Sequence, residues 1–543
     1  YLGGNLLDLS DPHQMKDMDR LVEILAQKIR KQGRIRIIGD YDVDGVTSSH
    51  LFLTALRRVG AKVDVVIPHR IQDGYGLSLH LLQQAKEDGV DTILTCDNGI
   101  AAIDEIAWAK AQKMTVLVTD HHAVPFEEHE GRRTEKKSLA DAVVNPHQQD
   151  CRYPYKELCG AGVAWNVIRV LYENYDMDKR EAEDLLDFVA MATVCDVMSL
   201  TGENRILVKE GLKRIRHTKN IGLQALMQAC NVQPENISAY HFGYVLGPCV
   251  NATGRLDTAR HALRLFETGQ ETEAEEIARD LVDLNQERKE LTLQGVEMAK
   301  KLCEEGGYEN DPILVLFLPD VHESIAGLIA GRIREMYNRP VFVLTRGEEG
   351  VKGSGRSTEN YSMYENMCGC AELFTKFGGH PMAAGLSLPE ENVEKFRRKI
   401  NENCPLTVEE VCPDIHIDMA MPVGYASTEL VHQFALLEPF GKDNPSPLFA
   451  DRNLSISRMW VIGKNRNVLR MSVLSEYGQP VPVIFFGDVE TLFAYFTEKF
   501  GQEEVENALH GRKNRILFSM VYTAKIDFYQ GNENLQLEMK YYR

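Results

Sequence analysis

Three carboxylates alternate in "GDYDVDGV": Asp40, Asp42 and Asp44, with Gly45 directly behind them. Carboxylates this close repel one another, so the run must either serve a cation or be solvated as a loop. An EF-hand calcium loop opens with the same D-x-D-x-D-G, but it needs a bidentate Glu at its twelfth position and a helix in front. Counting from Asp40 puts Leu51 there, and the preceding "RIRIIG" alternates basic and apolar residues as a strand does. Val46, Leu51, Leu53 and Leu56 then fall at helical spacing. The acidic cluster therefore belongs on a strand-to-helix turn, where open α/β sheets bind their ligands.

Three further stretches have the same character. "ILTCDNGI" puts Asp97 and Asn98 after a strand, "VLVTDHHAVP" puts Asp120, His121 and His122 after the next, and "ATVCDVMSL" ends an apolar helix on Asp196. Taken singly, each has an ordinary reading: an Asp after a strand often caps the next helix, and paired His often belong to polar loops. Together they mean more, because successive βα turns of a parallel sheet converge on one crevice, where Asp42, Asp44, Asp97 and His121 can meet. Carboxylates with one imidazole suit Mn2+ or Mg2+ better than Zn2+. More carboxylates than one metal needs implies two divalent cations about 3.5–4 Å apart, an arrangement that hydrolyses phosphate esters.

The elements that must position these residues follow from periodicity. From Ile35 to about Val118, the strands "RIRIIG", "KVDVVIP", "DTILTC" and "MTVLVT" alternate with helices starting near Val46, Ser78 and Ala101. This is the rhythm of a doubly wound parallel sheet, and helical sequence from about 160 to 229 completes a domain placed at 1–265. A long helix is expected from about Gln270 to Leu302, within a connecting segment at 266–305. A second, smaller α/β domain at 306–404 has "ILVLFLP" and "PVFVLT" as strands. Short strands and turns after Pro405 predict an OB-like β-barrel at 405–543. Its basic and aromatic residues Arg458, Trp460, Lys464, Arg466 and Arg470 mark a path for a nucleic-acid backbone.

Composition narrows the class. An apolar fraction of 44% with 26% charged residues is that of an ordinary soluble protein, and no apolar run reaches the roughly 18 residues of a membrane span. Scattered cysteines without a C-x-x-C pair predict a reducing cytoplasm. A net charge of −19 excludes indiscriminate nucleic-acid binding by the whole surface, but not a local basic channel. The chain begins at Tyr1 rather than Met, which predicts residues upstream.

"DYDVDG", "CDNG", "TDHH" and "ATVCDVM" resemble the ordered motifs of the DHH phosphoesterase superfamily. "NATGRLDTA", "GGHPMAAG" and "EPFGKDNPSP" resemble those of its RecJ branch, the single-strand-specific 5′→3′ DNA exonucleases. The resemblance runs from about Leu7 to Arg543. It implies a DHH catalytic domain, a DHH-associated domain and an OB domain. It implies Asp42, Asp44, Asp97, His121 and Asp196 as ligands of Mn2+ or Mg2+, with Asp97 bridging two ions, and Asp40 and His122 as further active-site residues. "PHRIQDGYG" is similar to a strand-contacting segment, which assigns Arg70 and Tyr75 to DNA. The same likeness assigns Arg255, Arg332, Ser354 and Arg356 to phosphate, and sets His380 in a Gly-rich turn near the substrate. Val321-His322 departs from the Trp-His common in the family, leaving His322 without a role. The implied partners are single-stranded DNA, single-strand-binding protein, a helicase and mismatch-repair factors, with the chain a monomer. The rival readings are a DHH phosphodiesterase of nano-RNA or cyclic dinucleotides, whose members are shorter and lack an OB tail, and an inactive replication scaffold. The resemblance extends to longer relatives with a further C-terminal domain, which is not expected within this sequence.

Overall fold

The computed structural model describes residues 1–69, 76–129, 132–256, 258–308, 311–347, 350–404, 406, 415–463, 467–529 and 532–543. Arg70, Tyr75, Lys464 and Arg466 lie outside the described residues. The chain divides into two compact units, residues 5–198 with 202–413, and residues 414–543 with 1–4 and 199–201.

In the larger unit the first sheet is parallel, in the order β2 (Lys62–Val66), β1 (Arg34–Ile38), β3 (Thr92–Cys96), β4 (Thr115–Thr119) and Ala142–Val144. Strands β3 and β4 are buried almost throughout, which is why they read as continuous apolar runs rather than alternating ones. All four numbered strands run the same way, so the turns after β1, β3 and β4 open at one edge. The helix Val43–Arg58 starts at that edge and is buried over nearly its whole length, packed on the helices Gly160–Asn174 and Leu186–Cys195. Leu186–Cys195 is apolar on nearly every side because it too is enclosed.

The long helix spans Glu271–Glu305, three residues beyond the expected end. Val296, Ala299 and Cys303 on it pack with Ile325, Ile329 and Ile333 of the helix Glu323–Tyr337. The second sheet has the order Lys376–His380, Ala383–Leu388, Gly350–Arg356, Val341–Gly347, Leu314–Phe317, and only its last pair is parallel. A separate core around Phe342, Met363 and Phe396 covers its other face.

In the smaller unit, Phe449–Ile462, Val468–Leu474, Pro480–Phe486, Asn532–Tyr542 and Leu517–Tyr529 pair in that order, and the last returns to the first. The ring is closed, with one parallel pairing between the third and last strands in sequence, as in an OB-like barrel. Two helices, Val489–Phe500 and Gln502–Leu509, intervene before the fourth strand and seal the core with Leu492, Phe496 and Val505. Strand periodicity alone does not anticipate them. No helix among the described residues is long and apolar enough to cross a membrane.

Candidate metal centre

Each acidic group is fixed by a local device. Asp42 caps the helix Val43–Arg58, accepting from Gly45 N at 3.0 Å. Gly45 lies so close to β1's exit that a Cβ there would stand 2.5 Å from Asp40 backbone atoms, hence the glycine in the motif. Asp44 is gripped by the start of the helix Gly160–Asn174, where Gly160 N and Ala161 N donate to its two oxygens at 2.6 and 2.8 Å. Asp97 turns sharply off β3 with φ +61°, a conformation that Asp tolerates better than most residues.

Asp120, directly after β4, is fully enclosed. It accepts from Ile100 N at 2.9 Å, His121 N at 2.7 Å and His122 N at 3.1 Å, and lies 2.8 Å from His122 Nδ1. Asp120 therefore orients both histidines. His121 Nε2 reaches the middle of the cluster, 3.1 Å from Asp97 Oδ1, 3.6 Å from Asp196 Oδ2 and 3.7 Å from Asp44 Oδ2. Donor atoms lie within 4.8 Å of one another in three groups: Asp97–His121–His122, Asp44–His121–Asp196 and Asp40–Asp42–Asp97. Asp97 and His121 each belong to two of them. All seven residues expected at the metal site are brought together, with Asp40 and His122 standing among the ligand candidates.

The electrostatics describe a site short of positive charge. Burial, then the neighbouring carboxylates Asp44, Asp42, Asp196 and Asp40, push Asp97 well above the usual carboxylate range. Burial and Asp44 likewise raise Asp42. Burial holds His121 below its ordinary value, whereas for His122 the penalty of burial is outweighed by Asp120 and it rises to about 9. Burial would raise Asp120, yet its contacts with His122 and His121 bring it below the ordinary value. The buried His121 Nε2 makes no hydrogen bond although three carboxylates face it. A neutral imidazole nitrogen held against carboxylate oxygens in this way fits a cation between them, and the oxygen-rich donor set fits Mn2+ or Mg2+.

A cavity of about 440 Å³ adjoins the acidic turn; Tyr41, Arg255, Ser324, Lys352, Ser354 and Arg356 are among the residues lining it. Arg356 Nη1 donates to Gly355 O at 2.7 Å and Ser354 Oγ at 3.2 Å, and Arg255 Nη1 donates to Ser324 O at 2.6 Å. Gly327 lets the Arg356 strand approach its helix, since a Cβ there would stand 2.8 Å from both Arg356 Nη2 and Ser354 Oγ. His322 has a plain role: its Nδ1 caps the helix Glu323–Tyr337 through Ser324 N at 3.3 Å and Ser324 Oγ at 2.7 Å. Arg332 and His380 are not brought into the cavity. Arg332 is 68% exposed and lies 3.5 Å from Glu335, and His380 is exposed at the end of an edge strand. In the barrel, Trp460 pairs in register with Arg470 and lies beside Arg458, all three exposed or half-exposed. Sequence reasoning assigns no roles to Asp120, Tyr41, Gly160 or Asn251; Asn251 Oδ1 accepts from Val43 N at 3.1 Å.

A parallel sheet gathering aspartates and paired histidines at one edge, with a smaller mixed sheet after it, defines a DHH protein. Residues 34–193 match the DHH family N-terminal domain and 310–404 the DHHA1 domain. Residues 417–541 match the RecJ OB domain, the tail that the rival phosphodiesterase reading does not expect. The chain is 34% identical to the single-stranded-DNA-specific exonuclease RecJ of Bacillus subtilis over 87% of its own length and 58% of that protein's. To the Haemophilus influenzae protein of the same name it is 32% identical, over 99% of this chain and 93% of the relative. The crystal structure of Thermus thermophilus RecJ in complex with Mn2+ superposes with a TM-score of 0.78 at 26% identity, covering 97% of this chain and 72% of that one. The chain belongs to the RecJ family.

Proposed function

We propose that this protein is a metal-dependent exonuclease that degrades single-stranded DNA from its 5′ end and releases 5′-mononucleotides, in DNA recombination and repair. The observation that carries the reading is the adjacency of two sites. Tyr41 lies inside the acidic turn and also lines the cavity holding Arg255, Ser354 and Arg356. A terminal phosphate held by those side chains would present a nearby internal phosphodiester to the carboxylate cluster. The guanidinium fork of Arg356 suits a phosphate's geometry and charge.

Asp42, Asp44, Asp97, His121 and Asp196 would hold two divalent cations, Mn2+ or Mg2+, with Asp97 shared. When bound, such cations supply Lewis acidity toward the phosphate and ease deprotonation of an attacking water. The protein's own residues do the rest. Asp120 and the amides of the helix Gly160–Asn174 fix the ligand set, so little reorganisation is needed during reaction. His122, held at Nδ1 by Asp120 and kept protonated by it, would steady charge on the phosphate or hand a proton to the departing 3′-oxygen. Water adds to phosphorus as that oxygen leaves. Arg458, Trp460 and Arg470 on the barrel offer the trailing strand charge and a stacking face. Single-strand-binding protein, a helicase and mismatch-repair factors are the protein partners that go with this reading, each a source of single-stranded ends.

The test is Asp97→Ala. Cleavage of a single-stranded oligonucleotide should vanish at any Mn2+ concentration while the thermal melt remains cooperative. Retention of even about a tenth of wild-type turnover, which is only about 1.4 kcal/mol of barrier, would remove the shared-ligand assignment.

A further inference from the structure

One continuous helical run links the phosphate cavity to an exposed aromatic pair. It comprises Ala239–His241, a π-helical segment Phe242–Leu246, and Gly247–Leu256. From Gly247 to Arg255 the half-buried positions are Pro248, Asn251 and Arg255, and the exposed Tyr240 and Tyr244 continue that face at the same spacing. Arg255 lines the cavity, and Asn251 accepts from Val43 N beside the metal turn. The π segment also packs on the helix end that delivers Asp196, with Cys195 Sγ donating to Phe242 O at 3.3 Å. A π segment inside an α-helix is uncommon and is frequently found at functional sites.

Tyr240 and Tyr244 are 62% and 71% exposed, yet their rings stack on each other with centroids 5.2 Å apart and planes at 25°. His241 borders the pair edge-on, its ring centroid 5.7 Å from that of Tyr240 with planes at 85°, and its Nδ1 is tied to Ser238. Two large aromatic faces held ready in solvent, rather than folded onto the core, are suited to a flat ligand.

We propose that Tyr240 and Tyr244 form a stacking platform for unpaired bases of the strand downstream of the cleaved bond. This rests on the exonuclease reading above. At about 1.5 Å of rise per residue, Tyr244 lies roughly 16 Å along the helix from Arg255. That length spans about five nucleotides of a stacked strand, and fewer of a stretched one. The continuity of this face with the phosphate cavity and the metal turn makes the substrate strand its occupant. Every base has a π-face, so the platform tolerates any sequence, but a base must be unpaired to lie on it. The pair thereby adds to selection of single strands over duplex.

The experiment measures binding of 5′-phosphorylated single strands to the full chain in EDTA, with 2-aminopurine placed at successive positions. For the wild type, affinity should rise as the strand lengthens from about three to about twelve nucleotides, and 2-aminopurine about five positions from the end should be quenched. In Tyr240→Ala/Tyr244→Ala the gain with length should fall by about 5- to 100-fold, and Tyr240→Phe/Tyr244→Phe should restore it. A folded alanine variant that keeps the full gain with length overturns the platform and leaves the nuclease reading standing. A wild type that binds no single strand of any length overturns both.

Discussion

Replacing Gly160 with Ala would test how tightly the metal centre is built. The added Cβ would stand 2.6 Å from Asp97 Cβ, 2.9 Å from Asp97 Oδ1 and 3.0 Å from Asp44 Oδ2. Carbon atoms settle at about 3.5–4.0 Å, so something must yield by about 1 Å. Asp44 has little freedom, because Gly160 N and Ala161 N both hold its carboxylate. Asp97 is tethered through its own N–H to Thr119 O at 3.1 Å. The displacement therefore falls on the Asp97 side chain or on the start of the helix Gly160–Asn174. A shift of about 1 Å in a reacting constellation lowers rate on the order of 100-fold, whereas overpacking should lower stability by only about 1–3 kcal/mol. The assay is nucleotide release from a single-stranded oligonucleotide at saturating Mn2+, alongside calorimetric Mn2+ titration and a thermal melt. A folded Gly160→Ala variant within about threefold of wild type in both turnover and Mn2+ affinity would refute this reasoning.

Two other outcomes are expected. Wild-type protein should cleave 5′-phosphoryl strands faster than 5′-hydroxyl strands, and Arg356→Ala should lose most of that preference, by about 1.5–3 kcal/mol for a charge-assisted contact; an unchanged preference would remove Arg356 from the phosphate site. Asp187, buried and accepting from Thr218 Oγ1 at 2.6 Å, is pushed up to about 6 by burial. Its folded value exceeds the unfolded one near about 3.9, so its stabilising contribution is present below that value and is lost as pH rises through about 6. The stability advantage of Asp187→Asn over wild type should accordingly grow by about 1.4 kcal/mol per pH unit between about pH 4 and pH 6 and level off above about 6, where both states are ionised, and denaturant melts showing a constant difference between about pH 4 and pH 7 would contradict it.

The chemistry was legible in the sequence where a single rule governs placement. Turns after parallel strands share one edge, so Asp42, Asp44, Asp97 and His121 could be gathered without knowing anything else. Asp120 stands in the same motif, but its burial beneath two histidines depends on β4's neighbour and on Ile100, which no local pattern encodes. Gly160 and Asn251 act on a turn more than a hundred residues earlier in the chain, and only tertiary packing discloses them. Arg332 shows the converse: its motif was legible, but the phase of the helix Glu323–Tyr337 carries its side chain to solvent beside Glu335. The barrel strands were visible from alternation, while its two helices lie between strands where period-2 reasoning has nothing to say.

Digestion of one single-stranded oligonucleotide, labelled at either end and compared with its duplex, tests the central claim most directly. In Mn2+ or Mg2+ the 5′ label should appear at once as a mononucleotide while the 3′ label stays on progressively shorter strands, with the duplex intact and EDTA stopping all cleavage. Release of the 3′ label first, equal attack on the duplex, or undiminished cleavage in EDTA would contradict it.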